Sequence, residues 1–244
     1  MSIESEHIKI QKLIVNSNLE KRLLKVLRLT FSENISLDYF RAMFKNCNYL
    51  DITFLSQNNV DVGFMYFTTF EISRKIHIIR PAVGIIQKHR IKGLKPFKMS
   101  LAKSIFMYQL RNPTKQVYIV SINVNPLMYS GLCAYWSQTY PSPELSISDK
   151  YASAIEAINQ YFDFKMNSQY IVKLPFSCLI DKKDTQRMNR NNKFIRFFFV
   201  QMFGSDAEPT LSDMHWDKGL LSLTPVSLKN LINILLRQWK IKRK

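Results

Sequence analysis

The chain has 244 residues, 46% of them hydrophobic and 13% aromatic, enough to bury a sizeable core in one large domain or in a core domain with an extension. Thirty-five Lys and Arg against 18 Asp and Glu give a formal net charge of +17, so the expected partners are polyanions: nucleic acid, an anionic membrane or a phosphorylated small molecule. Three cysteines (Cys47, Cys133, Cys178), with no C-x-x-C and no nearby histidine pair, argue against a disulfide frame or a zinc site, and neither a signal-peptide region nor a membrane-length apolar run is present; reduced thiols in a soluble, cytoplasmic protein are the expectation.

Weak alternation predicts a strand over residues 7–15, and Asn18 then caps a helix with Leu19, Leu23, Leu24, Val26, Leu27 and Phe31 on its apolar side. Ser36 opens a second short helix. Residues 49–55 read as a strand, 57–59 as a turn and 60–72 as a long strand rich in aromatic and β-branched residues. Arg74-Lys75 turns the chain into another strand, 76–86, where Pro81 argues for an edge, a bulge or a splayed pair. That strand ends in the basic, glycine-containing loop Gln87-Lys88-His89-Arg90-Ile91-Lys92-Gly93. A helix is predicted directly after it, over 94–110, with Leu94, Leu101, Ile105 and Tyr108 on one stripe. Residues 117–124 form a strand apolar on both sides, Asn125-Pro126 opens a short helix to about Tyr135, and Tyr140-Pro141-Ser142-Pro143 closes the block.

The remainder is less legible. A helix is expected over 148–161, a charged connection over 181–193, and an aromatic-rich strand or buried helix over 194–203. Thr224-Pro225 reads as an N-cap with proline at the first helical position, followed by apolar residues at helical spacing through Trp239 and a Lys/Arg tail. Asp213, His215 and Asp217 are metal-capable but lack a second cluster, so a polar loop is expected there and no metal. The strand–loop–helix–strand order predicts an α/β (α+β) fold: a mixed central sheet flanked by helices, with a core over 1–144 and an extension over 145–244 packed on the same domain.

The order around residue 90 resembles the GNAT superfamily of N-acetyltransferases, over roughly residues 8–140. A long strand precedes a strand ending Val83-Gly84-Ile85-Ile86; then come the basic loop, a helix, a strand, and Asn125-Pro126 with a Tyr-bearing helix. The family signature after its fourth strand is Arg/Gln-x-x-Gly-x-Gly/Ala. Here Arg90-Ile91-Lys92-Gly93-Leu94-Lys95 matches the Arg and the first Gly, and Lys95 stands where a small residue is usual. The resemblance implies an acyl-CoA, most simply acetyl-CoA, as cofactor and an amine as acceptor. The pyrophosphate would lie on backbone N–H groups from Gln87 to Lys95, including His89, Ile91 and Leu94, with Gly93 allowing close approach. Lys88, Arg90, Lys92 and Lys95 would add charge-assisted contacts. Val83 and Ile85 would lie on a splayed strand pairing with the pantetheine arm, and Asn123 or Asn125 would touch that arm. Tyr129, in competition with Tyr135, would protonate the leaving thiolate.

Between Glu71 and Glu144 the chain has no acidic residue but eleven Lys and Arg, which fits an anion site and equally fits a basic solvated face. The candidates for a general base are Glu71, His77 and, more remotely, Glu144, because the strand before the loop carries no carboxylate. Two functions follow as expectations. One is an acyl-CoA-dependent N-acyltransferase; the other is a degenerate member of the fold that uses its basic face to hold nucleic acid, an anionic membrane or a protein partner.

Overall fold

The computed structural model describes residues 3–11, 14–15, 17–86, 89–136, 138–179, 188, 191–204, 215–227 and 230–231; the side chains of 90–100 and of 215 fall outside that description. The chain forms two compact units, residues 1–115 and 116–244.

In the first unit β1 (Glu4–Ile10), β2 (Tyr49–Gln57), β3 (Val60–Glu71) and β4 (Ile76–Ile85) pair antiparallel in sequence order. Asn58 and Asn59 both take the left-handed conformation, φ 53° and 60°, which gives the two-residue turn whose twist suits the β2–β3 hairpin. Alternation sends the side chains of each strand to two faces. Leu50, Ile52 and Phe54 of β2 share one face with Phe64, Tyr66 and Phe70 of β3, all nearly or fully buried. Against that face lie α1 (Asn18–Thr30) and α2 (Leu37–Phe44); Phe31 meets Phe64 and Phe44 meets Tyr66 edge-on, the latter at 5.1 Å. The opposite face carries α3 (Arg90–Arg111), whose Leu101 packs on a cluster of Leu55, Val62, Met65 and Ile85.

Caps and ion pairs fix the helices. The Ser17 and Ser36 hydroxyls accept from the amides of Glu20 and Tyr39, each at 3.1 Å, starting α1 and α2. The first cap is therefore Ser17, one residue before the Asn18 expected from the sequence. Arg22 donates through Nε and Nη2 to both Asp61 oxygens at 2.8 Å, and its guanidinium lies 4.0 Å over the Phe54 ring. Those hydrogen bonds hold the Asp61 carboxyl below its usual range. Arg41 makes the same kind of fork on the buried Glu20 carboxylate, at 2.8 and 3.2 Å, joining α2 to α1.

In the second unit β5 (Gln116–Asn123) pairs antiparallel with β7 (His215–Pro225), which pairs antiparallel with β6 (Ile171–Leu179). One face holds Leu220 and Trp216 against α4 (Pro126–Tyr135) and α6 (Lys193–Phe203), around Tyr129, Phe198 and Met202. On the other face Tyr118 of β5 meets Tyr151 of α5 (Asp149–Phe162) edge-on. The residues 194–203, open between strand and helix in the sequence, are helical, because burial at Ile195, Phe198 and Met202 follows a helical period. Thr224-Pro225 does not open a helix: both residues end β7, paired with Ile119 and Tyr118, and the apolar repeat expected beyond them lies mostly outside the described residues. Since β7 pairs with β5, residues from the proposed extension and from the proposed core share a sheet in this unit.

Among the glycines of the described residues, Gly84 near the end of β4 has the tightest surroundings. A Cβ added to Gly84 would stand 2.3 Å from Thr30 Oγ1 and 2.5 Å from Phe64 Cε1, whereas one on Gly131 of α4 would meet nothing within 4 Å. Gly84→Ala is expected to destabilise the chain by about 1–3 kcal/mol through overpacking. Gly131→Ala is expected to be neutral or to stabilise by up to about 1 kcal/mol through helix propensity. Chemical denaturation of both variants checks the contrast; equal stabilities would contradict it.

Candidate functional site

At the exit of β4 the pairing Gly63↔Ile85, Phe64↔Gly84 and Met65↔Val83 runs to the last residue of the strand. The amide of Ile86 donates to Val62 O and that of His89 to Ile86 O, both at 2.9 Å, and α3 begins at Arg90. The helix thus begins four residues before the predicted 94, and the Arg90-x-x-Gly93 motif forms its first turn instead of a loop. Gln87 and Lys88 lie outside the described residues. The N-cap His89 makes no side-chain cap and the first turn has no acidic residue. An α-helix leaves its first amides without intrahelical acceptors, and its dipole is positive at this end, so the junction favours an anion over a cation. Pro96 falls in the seventh position of α3, where it removes the hydrogen bond normally made to the Lys92 carbonyl.

The side chains of Val83 and Ile85 are part of the packing under α3, so any role they have in holding a ligand falls to their main chain. Toward the other end of α3, Tyr108 reaches the β3–β4 hairpin. Its hydroxyl is 3.0 Å from His77 Nδ1, and its ring is edge-on to Phe67 at 6.2 Å. His77 is 7% exposed and faces Glu71 across the hairpin; Nε2 is 3.7 Å from Glu71 Oε1, too far for a hydrogen bond, and is left without one. Burial lowers the His77 pKa below its ordinary value, and the half-exposed Glu71 carboxylate opposes that shift. The imidazole is therefore neutral near pH 7 and has a nitrogen able to accept a proton.

Tyr108 was legible in the sequence as part of a buried helical stripe, but its link to His77 was not. Asp51 was missed altogether. It is a carboxylate inside a strand of apolar residues, 3% exposed, with His7 Nε2 at 3.2 Å and Ser104 of α3 at 3.5 Å, and desolvation raises its pKa. The signal was an acidic residue in an otherwise apolar alternation at Leu50-Asp51-Ile52.

In the second unit the candidates have structural duties. Tyr129 is wholly buried, stacks on Phe197 and donates its hydroxyl to Pro141 O at 2.7 Å; burial drives its pKa strongly upward. That is a core tyrosine, and its proton is already committed to a carbonyl. Tyr135, its competitor for the acid role, is half-buried. Asn123 is 7% exposed and donates to Ser222 Oγ at 2.8 Å and Leu220 O at 3.2 Å, fastening β5 to β7. Asn125 caps α4, accepting from the Leu127 amide at 2.8 Å. Glu144, the remote base candidate, pairs with Lys193. All three cysteines are buried, and burial pushes the Cys133 thiol up to about 11 and the Cys178 thiol up to about 12, which makes poor nucleophiles of both. Among the described residues no group of His, Cys, Asp or Glu has the makings of a metal site, and no helix is long and apolar enough to cross a membrane.

Neither a family model nor a curated protein sequence matches the chain. Solved structures to which it is similar include a GNAT family acetyltransferase, an N-acetyltransferase and a GNATL domain. A GNAT family acetyltransferase from Elizabethkingia anophelis with acetyl-CoA bound is 10% identical, covering 92% of this chain and 98% of that one, with a TM-score of 0.34. The ribosomal-protein-S18-alanine N-acetyltransferase from Escherichia coli is 8% identical over 91% and 96%, with a TM-score of 0.37. The loading GNATL domain of CurA from Lyngbya majuscula is 13% identical over 92% and 98%, with a TM-score of 0.33.

A lowered histidine pKa has a defined effect on stability. The folded state prefers neutral His77, so this contribution is intact above the unfolded value of about 6.5 and is lost as pH falls from there through the folded value. Unfolding free energy is expected to decline between about pH 7 and 5, with a shallower decline in His77→Gln. Denaturant titrations at several pH values measure both slopes, and identical slopes would contradict the assignment.

Proposed function

We propose that the chain is an acyl-CoA-dependent N-acyltransferase, most simply an N-acetyltransferase, that transfers the acyl group directly to an amine. The observation that carries this reading is the β4–α3 junction. The helix that follows the strand begins with Arg90-x-x-Gly93, has no side-chain cap and has no acid in its first turn. Those are the requirements of a diphosphate cradle: free amide donors, positive dipole and a residue without a side chain where backbone and phosphate approach. The sequence carries Lys88, Arg90, Lys92 and Lys95 around this motif, cations of the kind that bind phosphate. In this reading Lys95, at the position where the family has a small residue, is one more phosphate contact, and the main chain from Val83 to Ile85 holds the pantetheine.

The base assigned here is His77. An amine attacks the thioester carbonyl, the C–S bond breaks and the thiolate leaves. The ammonium proton passes to His77 Nε2, through one water because that atom is enclosed. Glu71 would stabilise the imidazolium and Tyr108 would hold Nδ1. In the second unit the Tyr129 proton is engaged at Pro141, which removes that residue from the acid role. A second reading, a fold kept for binding alone, is favoured by one observation: Tyr129 and Asn123, two positions carried over from the family, serve the core of this chain.

Calorimetry with acetyl-CoA and with free CoA tests the ligand. Saturable binding of both is expected, and Gly93→Glu should weaken it by more than about ten-fold, because a carboxylate placed among the phosphates repels them. No heat from either ligand well above micromolar concentration would contradict the proposal. Binding with no thiol release on any primary amine would support the binding-only reading instead.

A further inference from the structure

α3 carries large apolar side chains on both of its sides. Ile105 (1% exposed), Leu101 and Tyr108 face the sheet of the first unit. On the opposite side Phe106 and Met107 are each 40% exposed and Leu110 is 57% exposed. At 100° per residue Phe106, Leu110, Lys103, Met107 and Arg111 fall within one outward arc of about 140°. Lys103 and Arg111 are both exposed, so along the helix axis the apolar residues of this arc have a cation before and after them. Just beyond the helix Lys115 donates to the Arg74 carbonyl at 2.6 Å, which brings the exposed hairpin cations Arg74 and Lys75 to the same end of α3. The sequence has no acidic residue from 72 to 143, and the half-exposed Glu71 of the same hairpin stands against five cations.

We propose that this face of α3 is a docking surface for an anionic lipid bilayer, with Phe106, Met107 and Leu110 entering the interface and Lys103, Arg111, Lys115, Arg74 and Lys75 lying among the headgroups. Charge complementarity selects the occupant: an apolar stripe bordered by cations is the combination by which surface helices hold anionic membranes. Nucleic acid uses the cations but gains little from Met and Leu, which have neither a stacking face nor hydrogen-bonding groups. A protein partner would have to supply an apolar groove rimmed by acids for this convex helix face, whereas an anionic bilayer presents both features without a built seat. This inference does not depend on the acyltransferase reading.

The test is co-sedimentation of the full chain with phosphatidylcholine vesicles, with and without a third of phosphatidylserine. Partition onto the anionic vesicles is expected, with little onto the neutral ones. The charge-neutral double variant Phe106→Ser, Leu110→Ser should lower it by about ten-fold or more, because two inserted side chains are lost. Lys103→Gln with Arg111→Gln should lower it on anionic vesicles alone. Leu29→Ser, at a 52% exposed position on α1, should leave it unchanged, and thermal unfolding of each variant confirms that it is folded. In Phe106→Trp, vesicles should shift the emission to the blue. Three results would each overturn the proposal: no partition, partition that Phe106→Ser with Leu110→Ser leaves intact, or retention by RNA with none by vesicles.

Discussion

The first unit depends on two glycines at the mouth of one hairpin. Gly63 of β3 opposes Ile85, and Gly84 of β4 opposes Phe64, so at each of these adjacent pairs a bare backbone faces a large side chain. A Cβ on Gly63 would stand 2.9 Å from the Gly84 carbonyl, and one on Gly84 would enter the space of Thr30 and Phe64. Close packing there lets α1 sit directly on one face of β4 while Val83 and Ile85 carry the cluster under α3 on the other. The point where the chain turns into α3 is thereby fixed from both sides of the sheet, and with it the direction in which the first amides of α3 point.

One helix then serves two ends of the unit. Twenty-two residues of α3 span about 33 Å at 1.5 Å per residue, close to the about 33 Å of the ten residues of β4. Its N-terminus lies at the exit of β4, and its last turns reach the β3–β4 hairpin, where Tyr108 meets His77. The anion-favouring end and the buried histidine are coupled through a single rigid element. The outward side of that element remains apolar and cationic. The acidic side chains of the unit serve other tasks: Glu20 and Asp61 tie α1 to α2 and to the sheet, and Asp51 lies buried beside His7.

Legibility in the sequence followed the locality of the cause. Ser36 and Asn125 acted as caps where expected, and the Gln57–Asn59 turn was read from the residues that make it. The start of α3 was misplaced because Gly93 and Pro96 both argue against an early helix on propensity, and the backbone is helical through both. Thr224-Pro225 imitated a helix start, but pairing with Ile119 and Tyr118 of β5 draws both into a strand, and nothing local in the sequence announces that partner. Arg90-x-x-Gly93 was legible as a motif, but its helical backbone was not. The burial of Tyr129 and the locking of Asn123 by Ser222 arise from contacts 12 and 99 positions away in the chain, which spacing alone does not reveal.

The central claim is that the first turn of α3 holds the phosphates of a CoA thioester. Backbone amide shifts recorded by NMR during a titration with CoA test it most directly. The largest, saturable shifts are expected on the amides of residues 90–92, and adenosine 3′-phosphate 5′-diphosphate, which keeps both phosphates of the diphosphate and lacks the pantetheine, should reproduce most of them. Shifts confined to other residues, or none at all, would contradict it.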